Sequence, residues 1–190
     1  MKKSGAFFVC LLLTLLCYAP IARAQDTLRL KAITYNLRFG ELASLEELAA
    51  RIASEKPDMV ALQEVDCHTR REGIPHQHGK DFATELGFRT GMFPLYGKTI
   101  GIGLLTARPY LGVRKLMLPQ ASAQEESRAL LLVTVEVGQD TVVFASTHLG
   151  LSEESRRMQT ECILNELKRS RYPVLLGGDL RSPMPPRSLR

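Results

Sequence analysis

The alternation of apolar and polar residues predicts a strand near residue 30 and a helix after it. Residues 28–36 alternate in the manner of a half-buried strand. Ser44 opens the helix, because Glu47 stands three residues later and the pair makes a capping box. Pro57 ends the helix, and the continuous apolar run 59–62 is typical of a buried strand. Five apolar residues recur at helical spacing between these points: Leu45, Leu48, Ala49, Ile52 and Ala53.

The middle of the chain is dominated by short runs that favour antiparallel strands. Residues 66–80 are polar and rich in His, Arg and Gly, which predicts a loop. A short helical stretch is predicted at 82–86. Gly138-Gln139-Asp140 is a hairpin signal between two of the predicted strands. The strand-like runs cover 88–93, 101–106, 112–117, 129–137 and 142–147.

A second strand, helix, strand unit follows this middle region. Ser152 is the predicted cap of a helix with acidic residues in its first turn and basic residues, Lys168 and Arg169, in its last, as the helix dipole favours. Its apolar side carries Met158, Cys162, Ile163 and Leu167. The run 174–176 then predicts a buried strand. Two such units around antiparallel hairpins indicate an α+β or α/β fold in which helices cover layered sheets.

The first 24 residues have the pattern of a secretory signal peptide. Lys2 and Lys3 precede an almost wholly apolar run at 6–19, and Ala22-Arg23-Ala24 offers small residues for cleavage after Ala24. A membrane anchor is less favoured, because the run is shorter than the ~20 residues that a spanning helix needs. We therefore expect a cleaved leader at 1–24, a single domain at 25–190, and a secreted or periplasmic protein.

Composition limits the class of protein but does not identify its chemistry. Of the 190 residues 45% are hydrophobic and 24% charged, as in ordinary globular domains. The net charge of +5 includes three basic leader residues, Lys2, Lys3 and Arg23, and so falls to +2 without them. So small a charge gives no argument for a protein that coats nucleic acid. Of the cysteines outside the leader, Cys67 and Cys162 could pair in an oxidising compartment, although a buried Cys162 thiol on the helix is favoured.

Four predicted strands each end in a polar residue: Asn36, Glu64, His148 and Asp179. These side chains would meet if the strands run in one direction, because the carboxyl ends of parallel strands lie at one edge of a sheet. The oxygens of Glu64, Asp179 and Asn36 suit Mg²⁺ or a similar ion, and His148 can donate a hydrogen bond to a phosphoryl oxygen. The set predicts metal-assisted hydrolysis of a phosphate ester.

Five motifs stand in the order and at the spacing of the endonuclease/exonuclease/phosphatase superfamily, which the chain resembles from about Leu28 to Asp179. They are Thr34-Tyr35-Asn36, Leu62-Gln63-Glu64-Val65-Asp66, Gly103-Leu104-Leu105-Thr106 with Arg108, Ser146-Thr147-His148-Leu149 and Gly177-Gly178-Asp179. The resemblance implies a four-layer α/β/β/α sandwich. It also implies a monomeric hydrolase, dependent on Mg²⁺ or Mn²⁺, that acts on a phosphate ester of nucleic acid, a phospholipid headgroup or a sugar phosphate.

The same resemblance implies a role for each matched residue. Glu64 would be the principal metal ligand, and Asn36 would help to place both the metal and the nucleophile. His148 would stabilise the phosphoryl transition state, and Asp179 would orient the attacking water. Asp66, Thr69 and Arg71 match a loop pattern of secreted bacterial members, to which no role is assigned.

The chain departs from the superfamily pattern after Asp179. Arg181 occupies the place of a usual Asn, and residues 180–190 do not resemble the later strands that carry an Asp and an Asp-His pair. We therefore expect a fold incomplete at its C-terminal end and little or no turnover by this polypeptide alone. The alternatives are a catalytically silent phosphate-binding module and a non-functional remnant of such an enzyme.

The predicted loop also contains side chains that bind transition metals. Asp66, Cys67, His68, His76 and His78 lie close in sequence, and imidazole and thiolate are good Zn²⁺ ligands. Their spacing matches no closed structural zinc pattern, so a solvated loop is favoured.

Overall fold

The structure is a computed structural model that describes residues 28–69, 72, 79–97 and 101–180. Eight strands and three α-helices lie in these ranges, along with a 3₁₀ turn at Arg38–Gly40. The strands are β1 Ala32–Asn36, β2 Met59–Gln63, β3 Phe93–Tyr96, β4 Ile102–Thr106, β5 Tyr110–Met117, β6 Ala129–Val137, β7 Asp140–His148 and β8 Val174–Asp179. The helices are α1 Leu45–Glu55, α2 Phe82–Thr90 and α3 Glu153–Leu167.

The strands form two four-stranded sheets, in the orders β1-β2-β4-β3 and β5-β6-β7-β8. Strand β1 is parallel to β2, and β7 is parallel to β8, while the other pairs are antiparallel. Each parallel pair is joined through a helix, α1 in the first sheet and α3 in the second, as such crossovers require. Both predicted strand, helix, strand units are confirmed, but the prediction that the strand at 174–176 is buried is wrong. Leu175 and Leu176 of β8 are 36% and 37% exposed, because no further strand or helix of the described ranges covers them.

Three apolar clusters define four layers. Helices α1 and α2 cover the outer face of the first sheet, with Ile52 and Phe82 against Val60. The two sheets pack face to face, with Ala61 of β2 in the same cluster as Phe144 of β7. Helix α3 packs its Ile163 on the outer face of the second sheet. The described residues therefore confirm the α/β/β/α sandwich.

Local signals in the sequence set the ends of the helices. Ser44 and Glu47 form both hydrogen bonds of the capping box at α1, and the Ser152 side chain accepts a hydrogen bond from the Ser155 backbone at α3.

The predicted strand at 88–93 is wrong. Helix α2 instead continues to Thr90, with Phe88 87% exposed, and ends where Gly91 takes a left-handed conformation.

Several predictions fall on residues outside the described ranges. These residues are the leader 1–24, Arg71, His76, His78, Arg181 and the rest of the tail.

Cys67 and Cys162 form no disulfide, and the half-buried Cys162 packs against the cluster beneath α3. Within the described ranges, no helix has both the length and the apolar composition needed to cross a membrane.

Candidate active site

The two parallel strand pairs bring the four predicted polar residues to one end of the sandwich. Asn36 ends β1, and Glu64 directly follows β2 beside it. His148 and Asp179 end β7 and β8, where they are partners in the parallel register. Strand β8 also contacts β1 and β2 across the sandwich. All four residues are half-buried and so remain within reach of solvent.

The Asn36 amide joins the two sheets. Its Nδ2 donates hydrogen bonds to Glu64 Oε1, at 2.7 Å, and to Asp179 Oδ2, at 3.2 Å. Its Oδ1 accepts a hydrogen bond from the Arg38 backbone N–H at 2.9 Å. The amino group therefore faces the carboxylates. Asn36 could offer its Oδ1 to a cation between them only if its side-chain amide flipped. Its predicted role as a metal ligand stays a prediction.

The Glu64 backbone is held in an unusual conformation. Its φ of 52° lies in the left-handed region, which residues other than glycine seldom adopt. The Glu64 carbonyl accepts a hydrogen bond from Phe39, and the next N–H, that of Val65, donates to Gly101. Such a conformation costs roughly 1–3 kcal/mol and persists only where the surrounding structure holds it, as these two hydrogen bonds do here.

Two glycines let β8 carry Asp179 to this edge. A Cβ on Gly177 would lie 2.7 Å from the Cβ of Ala61 in the opposite sheet. A Cβ on Gly178 would lie 2.4 Å from the carbonyl oxygen of Thr147 on β7. Because real Cβ atoms do not approach so closely, only glycine permits β8 to pack against both neighbours at these positions.

His148 lies beside Arg128, a residue that the sequence analysis missed. Arg128 directly precedes β6, whose start pairs with the end of β7, and only 5% of its surface is exposed. Its Nη1 lies 3.4 Å from His148 Nδ1, and its Nη2 forms an ion pair with Glu126 at 3.0 Å. Since a guanidinium can only donate, Nδ1 accepts, and the proton of neutral His148 is on Nε2. The signal for this residue in the sequence was an arginine directly before the apolar run 129–133.

Burial lowers the pKa of His148, and the positive charge of Arg128 lowers it further. The carboxylates of Asp179, Glu64 and Glu126 act in the opposite direction but do not reverse the shift. Because its pKa is lowered from the ordinary value, His148 favours the neutral imidazole, with Nε2–H available as a donor. The Asp179 and Glu64 carboxylates therefore lie close enough to His148 to act on its pKa.

Replacing Arg128 by methionine is expected to raise the pKa of His148, because the change removes a nearby positive charge while keeping side-chain length. NMR titration of the His148 ring in metal-free protein measures this pKa directly. The matched control is Arg51→Met on the solvent side of α1, which should leave the His148 titration unchanged. An unchanged or lower pKa in the Arg128→Met variant would contradict the assigned tautomer and contact.

The donor set fits a hard divalent cation. One amide group binds both Glu64 and Asp179, so two carboxylates converge there, and a neutral amide does not neutralise their charge. Mg²⁺ and Mn²⁺ prefer carboxylate and water oxygens. Glu64 and Asp179 are the residues that could hold such an ion.

Other motif residues take structural positions near the site. Asp66 is buried, and its carbonyl accepts a hydrogen bond from the Phe82 N–H at the start of α2. Thr69 Oγ1 donates to the Cys67 carbonyl at 3.4 Å. Gln63 is buried between the sheets, where its Oε1 accepts a hydrogen bond from Thr34 and its Nε2 has no partner.

Comparison with known proteins gives a consistent family and fold. Residues 33–180 match the model of the Endonuclease/Exonuclease/phosphatase family. An endonuclease/exonuclease/phosphatase from Beutenbergia cavernae DSM 12333 has a similar structure, with 24% identity and a TM-score of 0.65, over 80% of this chain and 47% of that one. A comparison with curated proteins gives no match.

Two further solved structures have names that describe activities or ligands. One is a mannosyl-6-phosphatase of Bacteroides thetaiotaomicron VPI-5482, at 13% identity and TM-score 0.64, covering 80% of this chain and 65% of that one. The other is D. rerio TDP2 complexed with a single-strand DNA product, at 20% identity and TM-score 0.59, with coverages of 80% and 60%. The chain thus spans about half to two thirds of the structures it resembles.

Proposed function

Because the chain belongs to the endonuclease/exonuclease/phosphatase family, we propose that it is a phosphoesterase that depends on a divalent metal, Mg²⁺ or Mn²⁺. The observation that supports this most is the Asn36 amide, which holds Glu64 and Asp179 together next to His148. Four side chains from four strands thus form one polar site at the carboxyl edge. The substrate is a phosphate monoester or diester, hydrolysed by water.

Each residue contributes a separate part of the reaction. Glu64 is the main carboxylate ligand, and the bound cation supplies charge neutralisation for the phosphoryl group and a more acidic water. Asp179 accepts a hydrogen bond from the attacking water and orients it. The neutral His148 donates its Nε2–H to a phosphoryl oxygen as negative charge develops there. Asn36 keeps both carboxylates in position.

Turnover by this chain is expected to be slow. Among the described side chains of the site, His148 donates its Nε2–H and Glu64 is assigned to the metal, which leaves Asp179 to take a proton from the attacking water. A dedicated general base typically contributes ~10²–10⁴-fold to the rate.

The substrate class stays open between nucleic acid, a phospholipid headgroup and a sugar phosphate. We further propose a monomer that is exported through the leader at residues 1–24.

Hydrolysis of bis(p-nitrophenyl) phosphate and p-nitrophenyl phosphate tests the proposal. We expect hydrolysis of one of them with Mg²⁺ or Mn²⁺, loss of it with EDTA, and a fall of ~10²-fold or more in Asp179→Asn. The matched control is Asp140→Asn in an exposed hairpin, which should retain the rate. Hydrolysis that survives EDTA, or an Asp179→Asn variant as active as the wild type, would contradict the proposal.

A catalytically silent phosphate-binding module is the second candidate, favoured by the buried Arg128 beside His148. A buried guanidinium can bind phosphate whether or not chemistry follows. Saturable binding of inorganic phosphate with no metal-dependent hydrolysis of either ester would support this candidate over the first. A single cooperative unfolding transition would distinguish both from a remnant that does not fold.

A further inference from the structure

A second cluster of metal-binding side chains lies in the loop after Glu64. Cys67, His68 and Asp81 each offer one ligand atom, and these atoms lie within 4.8 Å of one another. The sequence analysis noted Cys67 and His68 but missed Asp81, which precedes α2. None of the three has a role in the proposed phosphoesterase site.

Backbone pairing fixes the two segments that carry these residues. Cys67 and Asp81 form an antiparallel bridge. The His68 N–H donates to the Lys80 carbonyl at 3.0 Å, and the Gly79 N–H donates to the Thr69 carbonyl at 3.1 Å. Ligands on paired backbone need little reordering on binding, which lowers the entropic cost of holding a metal.

The His68 ring is oriented by a hydrogen bond outside the cluster. Its Nδ1 lies 2.8 Å from the Gly79 carbonyl oxygen. Since that oxygen can only accept, Nδ1 donates, and the lone pair of the neutral ring is on Nε2. Metal-ligating histidines commonly donate their other ring N–H to a backbone carbonyl in this way, which fixes the tautomer and makes the ligating nitrogen more basic.

The Asp81 carboxylate is held in the same manner. Its Oδ1 accepts a hydrogen bond from the Thr84 N–H at 3.1 Å, and its Oδ2 accepts one from the Thr84 hydroxyl at 2.9 Å. Each carboxylate oxygen has a further lone pair, so capping α2 does not prevent metal binding.

We propose that Cys67, His68 and Asp81 bind a zinc ion. Thiolate, imidazole and carboxylate are all zinc ligands, and a water can complete the tetrahedron. On binding, the Cys67 thiol loses its proton to solvent, so thiolate and carboxylate together balance the charge of Zn²⁺. Because the Cys67 ligand is soft, this site differs in metal preference from the oxygen site at Glu64 and Asp179. The bound ion links the segment after β2 to the start of α2.

Cobalt titration of the reduced, tag-free, metal-stripped protein tests this site, since Co²⁺ bound to a thiolate gives a near-ultraviolet charge-transfer band. The background carries Cys10→Ser and Cys17→Ser, so that only Cys67 and Cys162 can contribute. We expect a band that saturates at one equivalent and is displaced by Zn²⁺. Cys67→Ser should lose the band, and the matched control Cys162→Ser should keep it.

The other two ligands are tested by affinity rather than by the band. His68→Gln and Asp81→Asn should each weaken Zn²⁺ binding at least ~100-fold in competition with a chelator, beyond the ~10–100-fold typical of residues that only support a ligand. Asparagine can also cap a helix, so the Asp81→Asn variant should keep α2, and its circular dichroism spectrum should match that of the starting protein. No band in the starting protein, a band that persists in Cys67→Ser, or unchanged affinity in His68→Gln would overturn the proposal.

Discussion

Replacing Gly178 by alanine is expected to lower the free energy of unfolding by about 3 kcal/mol or more, the upper end of the range for overpacked sites. The added Cβ would lie 2.4 Å from the Thr147 carbonyl oxygen, whereas ordinary contacts begin near 3.4 Å. Thr147 and Gly178 are partners in the β7–β8 register, so two paired strands would have to separate. Because Asp179 is the next residue, the carboxylate would move away from Asn36 as well.

Urea denaturation of the two proteins measures this effect. The matched control is Gly112→Ala on the outer strand β5, where a Cβ would meet nothing within 4 Å. That change should alter stability by less than about 1 kcal/mol. A Gly178→Ala variant as stable as Gly112→Ala would show that β8 does not pack against β7 as described.

Replacing Glu64 by glutamine is expected to weaken Mn²⁺ binding by about 100-fold or more, since even the loss of a residue that supports a ligand costs ~10–100-fold. Glutamine is nearly isosteric, and its Oε1 can still accept the hydrogen bond from Asn36 Nδ2. The variant should therefore keep the fold and lose one of two carboxylate charges. The variant would retain one carboxylate, that of Asp179, beside two neutral amides, one from the new glutamine and one from Asn36. Such a set is a poor site for a divalent cation.

Calorimetric titration of Mn²⁺ into metal-free protein provides this comparison. Glu136→Gln, at an exposed position on β6, removes the same charge beside the start of β7, at the opposite end of that strand from His148, and should bind Mn²⁺ like the wild type. Equal affinities in Glu64→Gln and Glu136→Gln would mean that Glu64 does not hold the ion.

Features decided by neighbours in sequence could be predicted well. The capping box of Ser44 and Glu47 and the bounds of β6 at Ala129–Val137 needed only local pattern. The predicted strand at 88–93 was wrong because Phe88 is an aromatic residue on the exposed side of a helix, where β-propensity misleads. Gly91, the left-handed residue that ends α2, was the better signal there.

The site could be predicted only as far as strand direction determines it. Asn36, Glu64, His148 and Asp179 stand at strand ends, so parallel crossovers bring them together. Arg128, which meets His148, and Asp81, which meets Cys67, were missed. Antiparallel pairing brings these residues together, and the register of such pairing cannot be recognised from a short sequence motif. The orientation of the Asn36 amide depends on the Arg38 backbone N–H, and no sequence pattern indicates it.

Paramagnetic broadening by Mn²⁺ tests most directly whether the four strand ends form one cation site. We expect a low concentration of Mn²⁺ to broaden the NMR signals of the Asn36 side-chain amide and the His148 ring, and not those of Tyr172, which lies just before the start of β8. The same addition to Glu64→Gln should leave Asn36 and His148 sharp. Sharp signals from both residues in the wild type, at Mn²⁺ levels that broaden other parts of the protein, would contradict the account.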